Sequence, residues 1–244
     1  MDIRITGLKT LSEIRPGDRL GVLIREAARR EQQPCAPETV VVVAQKIVSK
    51  AEGALIDLRK IEPSSFARRW AAQWQKDPRM IELVLQQSRR IVRMDRGVLI
   101  TETHHGFVTA NAGVDQSNMA DENHAAVLPA DPDASASALR KELGCGAVIV
   151  SDTFGRPWRE GLVNVAIGVS GLPALRDLRG GRDRHGHELH ATIIAQADEL
   201  AAAAGIVMPK AAGVPVALIH GYEWEPADGS ARPLVRAPEL DLFR

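Results

Sequence analysis

A chain of 244 residues sets 31 lysines and arginines against 31 aspartates and glutamates, so its formal net charge is zero. That balance excludes a generally basic nucleic-acid binder, and 45% hydrophobic with 25% charged residues excludes wholesale disorder. With only 4% aromatics, the core of one large domain has to come mostly from Val, Ile, Leu and Ala.

Leu20, Leu23, Ile24, Ala27 and Ala28 recur at helical spacing and predict a helix over 18–30. Val40-Val41-Val42-Val43-Ala44 reads as a strand buried on both faces. Residues 64–75 and 77–91 read as two helices, the second opened by an Asp77 N-cap with Pro78 at the first helical position. Strands are expected over 98–103 and 107–110, joined by a tight turn at Thr103-His104-His105-Gly106. A turn at 130–133 leads into a helix over 134–143 that Gly144 ends. Residues 147–150 and 162–169 read as buried strands, 188–204 as a long amphipathic helix stopped by Gly205, and 214–219 as the last strand. Strands and helices mix without strict alternation and without a fixed repeat, which is the pattern of a mixed α/β, or α+β, fold.

Cys35 and Cys145 form neither a CxxC nor a zinc spacing, and two isolated thiols suit a reducing compartment. The N-terminus lacks the basic and apolar regions of a signal peptide. No apolar run approaches the ~20 residues of a membrane span. The expectation is a soluble cytoplasmic protein that binds neither nucleic acid nor membrane.

Five loops gather small and polar residues beside apolar strands, where a rigid scaffold usually presents a site. Residues 45–53 carry Gln45, Lys46, Ser49 and Lys50, and read either as a phosphate-holding loop or as a solvated turn. Residues 111–118 carry Asp115 and Asn118, oxygen donors for a hard cation such as Mg²⁺ or the start of an Asx-turn. Residues 151–161 place Asp152 and Thr153 just past a strand, as in nucleotide–metal sites, with Arg156 and Arg159 able to grip phosphate or carboxylate, or are a surface loop held by internal ion pairs. Residues 176–190 hold four arginines with His185, His187 and His190, and read as a transition-metal site, an anion-binding loop or a solvated charge run. Residues 208–215 are small enough to let backbone approach a ligand, or are simply a connection. No Walker loop is present, and Gly144-Cys145-Gly146 precedes its strand, the wrong order for a Rossmann fingerprint.

Four motifs occur in order: Ser49-Lys50-Ala51-Glu52-Gly53, Asn111-Ala112-Gly113-Val114-Asp115-x-Ser117-Asn118, Ser151-Asp152-Thr153-x-Gly155-Arg156-Pro157-Trp158-Arg159-x-Gly161 and Ile167-Gly168-Val169-Ser170-Gly171. Gly186-x-Glu188-Leu189 and the tail 228–244, ending Asp241-Leu242-Phe243-Arg244, complete the set. Together they resemble the coenzyme F420-0:L-glutamate ligase family, over nearly the whole chain. The resemblance implies a single ligase module over 1–244 with a two-lobed mixed fold, and no nitroreductase-like domain after it. It implies a GTP-dependent ligase that joins L-glutamate to coenzyme F420-0 and extends the tail through γ-linkages. It further implies a homodimer that uses Mg²⁺ or Mn²⁺, two per site, and K⁺.

Carried over residue by residue, the resemblance makes Asp115, Asp152 and Thr153 metal ligands, and Asp115, Asp152 and Lys50 the catalytic set. GTP contacts would come from Leu11, Ser12, Glu13, Ile14, Gln45, Lys46, Lys50, Asn118, Met208, Lys210 and Gly213. The 208–215 loop departs from the family pattern by offering Pro209 and Lys210 where a second-metal carboxylate would stand. Two rival readings remain at this point. One is a metal-dependent hydrolase built on His185, His187 and His190; the other is a nucleotide-binding protein without catalysis.

Overall fold

The computed structural model describes residues 2–117 and 121–241. In chain order its strands and helices are β1 (Arg4–Gly7), α1 (Leu20–Arg30), β2 (Val40–Ala44), α2 (Gln45–Ala51), β3 (Leu55–Asp57), α3 (Ser65–Trp74), α4 (Pro78–Gln86), β4 (Ser88–Asp95), β5 (Val98–Thr103), β6 (Val108–Ala110), β7 (His124–Ala126), α5 (Pro132–Leu143), β8 (Ala147–Arg156), β9 (Arg159–Ser170), β10 (Arg176–Asp177), β11 (Ile193–Ile194), α6 (Gln196–Gly205) and β12 (Val216–His220). This is the mixed α+β class that the sequence pattern calls for.

A five-stranded sheet in the order β1-β12-β2-β8-β9 forms the centre. Its only parallel pair is β2 with β8; the other neighbours run antiparallel. The unbroken valine run of β2 follows from this position. Val41 and Val43 enter one core with Val148, Val150 and Leu218, while Val40 and Val42 enter a second with Ile149, Ala217 and Ile219. Helices α1, α2 and α5 cover the first face, and α6 covers the other. A sheet covered on both faces buries every side chain of a central strand, so no polar alternation survives. At Gly168 a Cβ would lie 2.2 Å from the Pro132 carbonyl oxygen, so only glycine lets α5 sit this close to β9.

A separate core gathers Trp70, Ala71, Ile81, Leu83, Val84, Leu99 and Val127. It belongs to α3, α4, the antiparallel sheet β4-β5-β6 and the pair β3-β7. Asp77 caps its helix as the sequence predicts, accepting from the Arg79 N–H, and the structure adds two further caps: Ser64 accepts from Ala67 and Asp131 from Ala134. Each is worth about 1 kcal/mol.

Several boundaries differ from expectation. The helix from Asp77 stops at Gln86 and does not run to Ile91; the Ser88 hydroxyl donates to the Val84 carbonyl, and Ile91 pairs with Thr101 in a sheet. The helix expected over 188–204 starts at Gln196, because Ile193 and Ile194 pair with Asp177 and Arg176. Residues 45–53 are mainly helix, and 151–161 are the arm of a β8–β9 hairpin turned at Pro157-Trp158. No helix among the described residues is long and apolar enough to cross a membrane.

Candidate active site

Three elements bring the candidate residues together. Strand β2 passes directly into α2, which buries Gln45, Ile47, Val48 and Ser49 and leaves Lys46 and Lys50 at its edge. Asp115 is fixed by a two-way backbone bridge to Ala126, its N–H donating at 3.0 Å and its carbonyl accepting at 2.8 Å. Just before it, Asn111, Ala112 and Gly113 all take positive φ values of 53°, 53° and 70°. Left-handed backbone at two non-glycine residues costs of order 1–2 kcal/mol each, and such strain collects where geometry is over-determined. Asp152 and Thr153 lie on β8, past its buried valines.

Lys46 joins the first two elements. Its Nζ lies 2.6 Å from Asp115 Oδ2 and donates to the Ser117 hydroxyl and carbonyl oxygens at 2.6 and 2.9 Å. Asp115 also accepts from the Ser117 N–H at 2.7 Å. Burial pushes the Asp115 carboxyl up, but the bonds from Lys46 and Ser117 outweigh it and hold the group below the usual carboxylate range.

Asp152 goes the other way. Burial pushes its carboxyl up to about 6; the Thr153 N–H opposes the rise, the Asp115 charge adds to it, and Lys210 and Lys46 pull it down. The Asp115 carboxylate and the Lys46 and Lys210 ammonium groups are thus close enough for their charges to act on Asp152. The Thr153 hydroxyl donates to Asn164 Oδ1 at 2.9 Å, which leaves its oxygen lone pairs for another partner. Asn164 interrupts the apolar run from Leu162 to Val169, and that interruption is the signal that could have singled it out. A pair of carboxylates suits Mg²⁺ or Mn²⁺, since Mg²⁺ takes one or two protein carboxylates and completes its shell with water and substrate phosphates. The residues fit such an ion.

The remaining assignments fall less evenly. Lys50 Nζ lies 2.6 Å from Glu13 Oε1, which places the 11–14 segment against α2. Ile14 is buried and Leu11 packs against the same core, while Ser12 and Glu13 are exposed. Gln45 is interior, its Oε1 2.9 Å from the Ser49 hydroxyl. Met208 is a core residue, whereas Lys210 and the left-handed Gly213 lie on the surface. Asn118 lies outside the described residues.

Residues 176–190 do not join this corner among the described contacts. Arg179 grips Asp177, and Asp183 accepts from the His185 and His187 N–H groups at 2.8 and 2.9 Å. No group of three or more His, Cys, Asp or Glu among the described residues is placed to hold a metal ion, so the His185, His187 and His190 reading finds no centre there. Arg156 donates to the Glu160 carbonyl across its own hairpin turn. The Cys145 thiol, pushed up to about 12 by burial above all, stays protonated and is no nucleophile.

The sequence profile of the family described as F420-0:Gamma-glutamyl ligase matches residues 8–221. The chain belongs to this family. It is 44% identical to the coenzyme F420:L-glutamate ligase of Methanothermobacter thermautotrophicus over the full length of both proteins. It is 46% identical to that of Methanopyrus kandleri, covering 99% of this chain and 98% of the relative. A Halorubrum lacusprofundi protein of the same name is 41% identical over 90% of this chain. The family match spans β2, Asp115, Asp152 and the 208–215 loop, so the carboxylate corner lies wholly within it.

Proposed function

We propose that this member of the F420-0:gamma-glutamyl ligase family joins L-glutamate to coenzyme F420-0 at the expense of GTP, and extends the product through γ-linked glutamates. The observation that carries this reading is the meeting of Asp115, Asp152, Lys46 and Lys210 in one corner, in a chain collinear with relatives named as such ligases. Asp115, Asp152 and Thr153 would hold Mg²⁺ or Mn²⁺. Two ions per site and a K⁺ requirement remain part of the proposal, with Lys210 supplying charge where no second-metal carboxylate stands.

An amide cannot form from a free carboxylate without a leaving group. In the proposed sequence the F420-0 carboxylate attacks the γ-phosphorus of GTP, the bond to the bridging oxygen breaks, and GDP leaves. The glutamate amine then attacks the acyl carbon, phosphate departs with the bonding pair, and the nitrogen loses a proton. A divalent ion supplies charge neutralisation at the phosphates when bound. The protein positions the reactants and offsets the charge that remains, which is most of what phosphoryl transfer asks of it. Lys46 already lies on a carboxylate, and Lys50 on Glu13; both are held at the rim of α2, where a triphosphate could draw them over.

Incubating the purified protein with GTP, Mn²⁺, glutamate and F420-0 tests the reading. The expected result is a ladder of glutamyl adducts by mass spectrometry with one GDP released per bond. GTP binding without GDP release would leave only a nucleotide-binding protein, and equal turnover with ATP would remove the nucleotide assignment. Omitting K⁺ tests that ion. A homodimer is proposed as well: Trp158 and Leu162, 78% and 62% exposed on the hairpin, are costly to leave in water. Sedimentation equilibrium at the monomer mass would overturn it.

A further inference from the structure

A cavity of about 400 Å³ lies on the same side of the central sheet as the carboxylate corner, walled by the β5–β6 turn, the start of α5, β9 and the C-terminal segment. That volume is within the range of small-molecule sites. Its floor is apolar: Phe107, Ile167 and Val235. Its rim carries two cations, Arg232 and Arg236. Among the described residues the Arg232 guanidinium has neither hydrogen bond nor ion pair, and Arg236 reaches only the Leu240 carbonyl oxygen at 3.5 Å.

This cavity is built. Asp133 clamps the C-terminal segment to the sheet: Oδ1 accepts from the Val169 and Ala231 N–H groups at 2.8 and 2.9 Å, and Oδ2 from the Ser230 hydroxyl at 2.6 Å. Three donors thus occupy the carboxylate and tether the chain immediately before Arg232. His105 is fixed too, its Nε2 donating to the Pro129 and Ala130 carbonyls. That bond places the proton on Nε2, so Nδ1 is a lone-pair acceptor, and it is buried without a partner.

The cavity wall also touches the strand of the candidate active site. The Phe107 ring stacks on His105, with centroids 6.0 Å apart and planes 23° apart, and meets Phe154 edge-on at 6.4 Å. Phe154 follows Thr153 directly on β8. The aromatic wall of the cavity therefore backs onto the strand that carries Asp152 and Thr153.

We infer that this cavity holds the acceptor substrate, with Arg232 and Arg236 gripping an oxyanion and the Phe107–Ile167–Val235 floor taking an adjoining apolar body. The inference rests on the ligase reading and adds to it which ligand goes where. Triphosphate recognition needs a divalent ion, and the carboxylates for one are across the Phe107–Phe154 wall. Free glutamate has no apolar body to cover the floor. An acceptor with a phosphodiester near a flat aromatic system satisfies both halves.

The test compares two ligands on two variants. Calorimetric titration of F420-0, and of the same deazaflavin lacking the phospholactyl end, is run on wild type and on the double variant Arg232→Gln/Arg236→Gln. The expected result is that F420-0 binding weakens about tenfold or more, as loss of charge-assisted bonds implies, while binding of the truncated compound is unchanged. KM for GTP and glutamate should hold. Val235→Trp, which fills the cavity, should abolish F420-0 binding while a fluorescent GTP analogue still binds. Unchanged F420-0 affinity in the double variant, or a raised KM for glutamate in place of F420-0, would overturn the assignment. If wild type neither binds nor glutamylates F420-0, the ligase reading fails first and takes the assignment with it. Wild-type turnover with indifferent variants defeats the assignment alone.

Discussion

Two regions of the chain concentrate ionisable residues, and the structure treats them in opposite ways. Residues 176–190 are the denser, yet their charges close on one another: Arg179 on Asp177, and His187 with two backbone N–H groups on Asp183. The Asp115–Asp152 corner is sparse, and its members Lys46, Asp115, Asp152 and Lys210 come from four distant stretches of sequence. There Lys46 pairs with Asp115, while Asp152 is left without an ion pair among the described residues. Asp115 is held low by Lys46, while Asp152 is pushed up to about 6 by burial and by its neighbour. The difference teaches that a site is marked by charge the fold gathers and does not neutralise, and not by charge density along the chain.

The first way to break that comparison is Asp152→Asn. The amide is isosteric, so far-ultraviolet circular dichroism should match wild type while glutamylation falls by about a thousandfold. Near-normal turnover would remove Asp152 from the site. Next in size is Lys46→Ala, which removes a cation from the phosphate side and leaves Asp115 without its ion pair. A loss of about a hundredfold in kcat/KM for GTP is expected. An effect confined to glutamate kinetics would move Lys46 elsewhere.

Much of this corner was legible in the sequence, because local chemistry wrote it there. Asp152 follows a run of buried residues in β8, and Lys46 follows the valine strand. The Asp77 cap also appears in the letters. What was not legible depends on pairing between distant segments. Ile91 fits a helix by periodicity, and only its partner Thr101 on β5 makes it strand. Ile193 and Ile194 are the same case against β10. The Ser151–Gly161 stretch reads as a loop because its polar residues, glycines and proline show no apolar run, yet β9 pairs with it through Asp152, Thr153 and Phe154. The Arg232–Arg236 rim escaped altogether, since it exists only once Asp133 has tied the C-terminal segment to β9.

A third, smaller effect sharpens the reading of Asp152 as unbalanced charge. Burial pushes its folded-state carboxyl up to about 6, against an ordinary value of about 3.9 in the unfolded chain. Between those values the folded protein keeps a proton that the unfolded chain has released. Stability is therefore greatest at acid pH and is lost as pH rises through about 4 to 6. The full shift corresponds to about 3 kcal/mol, and partial exposure reduces this to about 1–2 kcal/mol. In chelator-treated protein, Asp152→Asn should raise the thermal midpoint at pH 7.5 by about 2–8 °C. The two proteins should melt together at pH 4. A variant that melts lower than wild type at pH 7.5 would mean that Asp152 is already neutralised by its lysines.

The smallest effect comes from the other half of the comparison. His185, His187 and His190 are exposed, and the one ion pair of His187, 3.2 Å to Asp183, has an 80% exposed imidazole. Such pairs contribute about 0–1 kcal/mol. Asp183 would keep its backbone donors from residues 185 and 187 whatever the side chains are. Replacing all three histidines with alanine should therefore change kcat/KM by less than about twofold and stability by no more than about 0.5 kcal/mol. Metal analysis after dialysis supplies the sharper reading. If wild type retains stoichiometric zinc that the triple variant loses, or if activity collapses, then the dense cluster is not locally neutralised after all. The contrast between the two regions would have to be abandoned in favour of a metal site at 185–190.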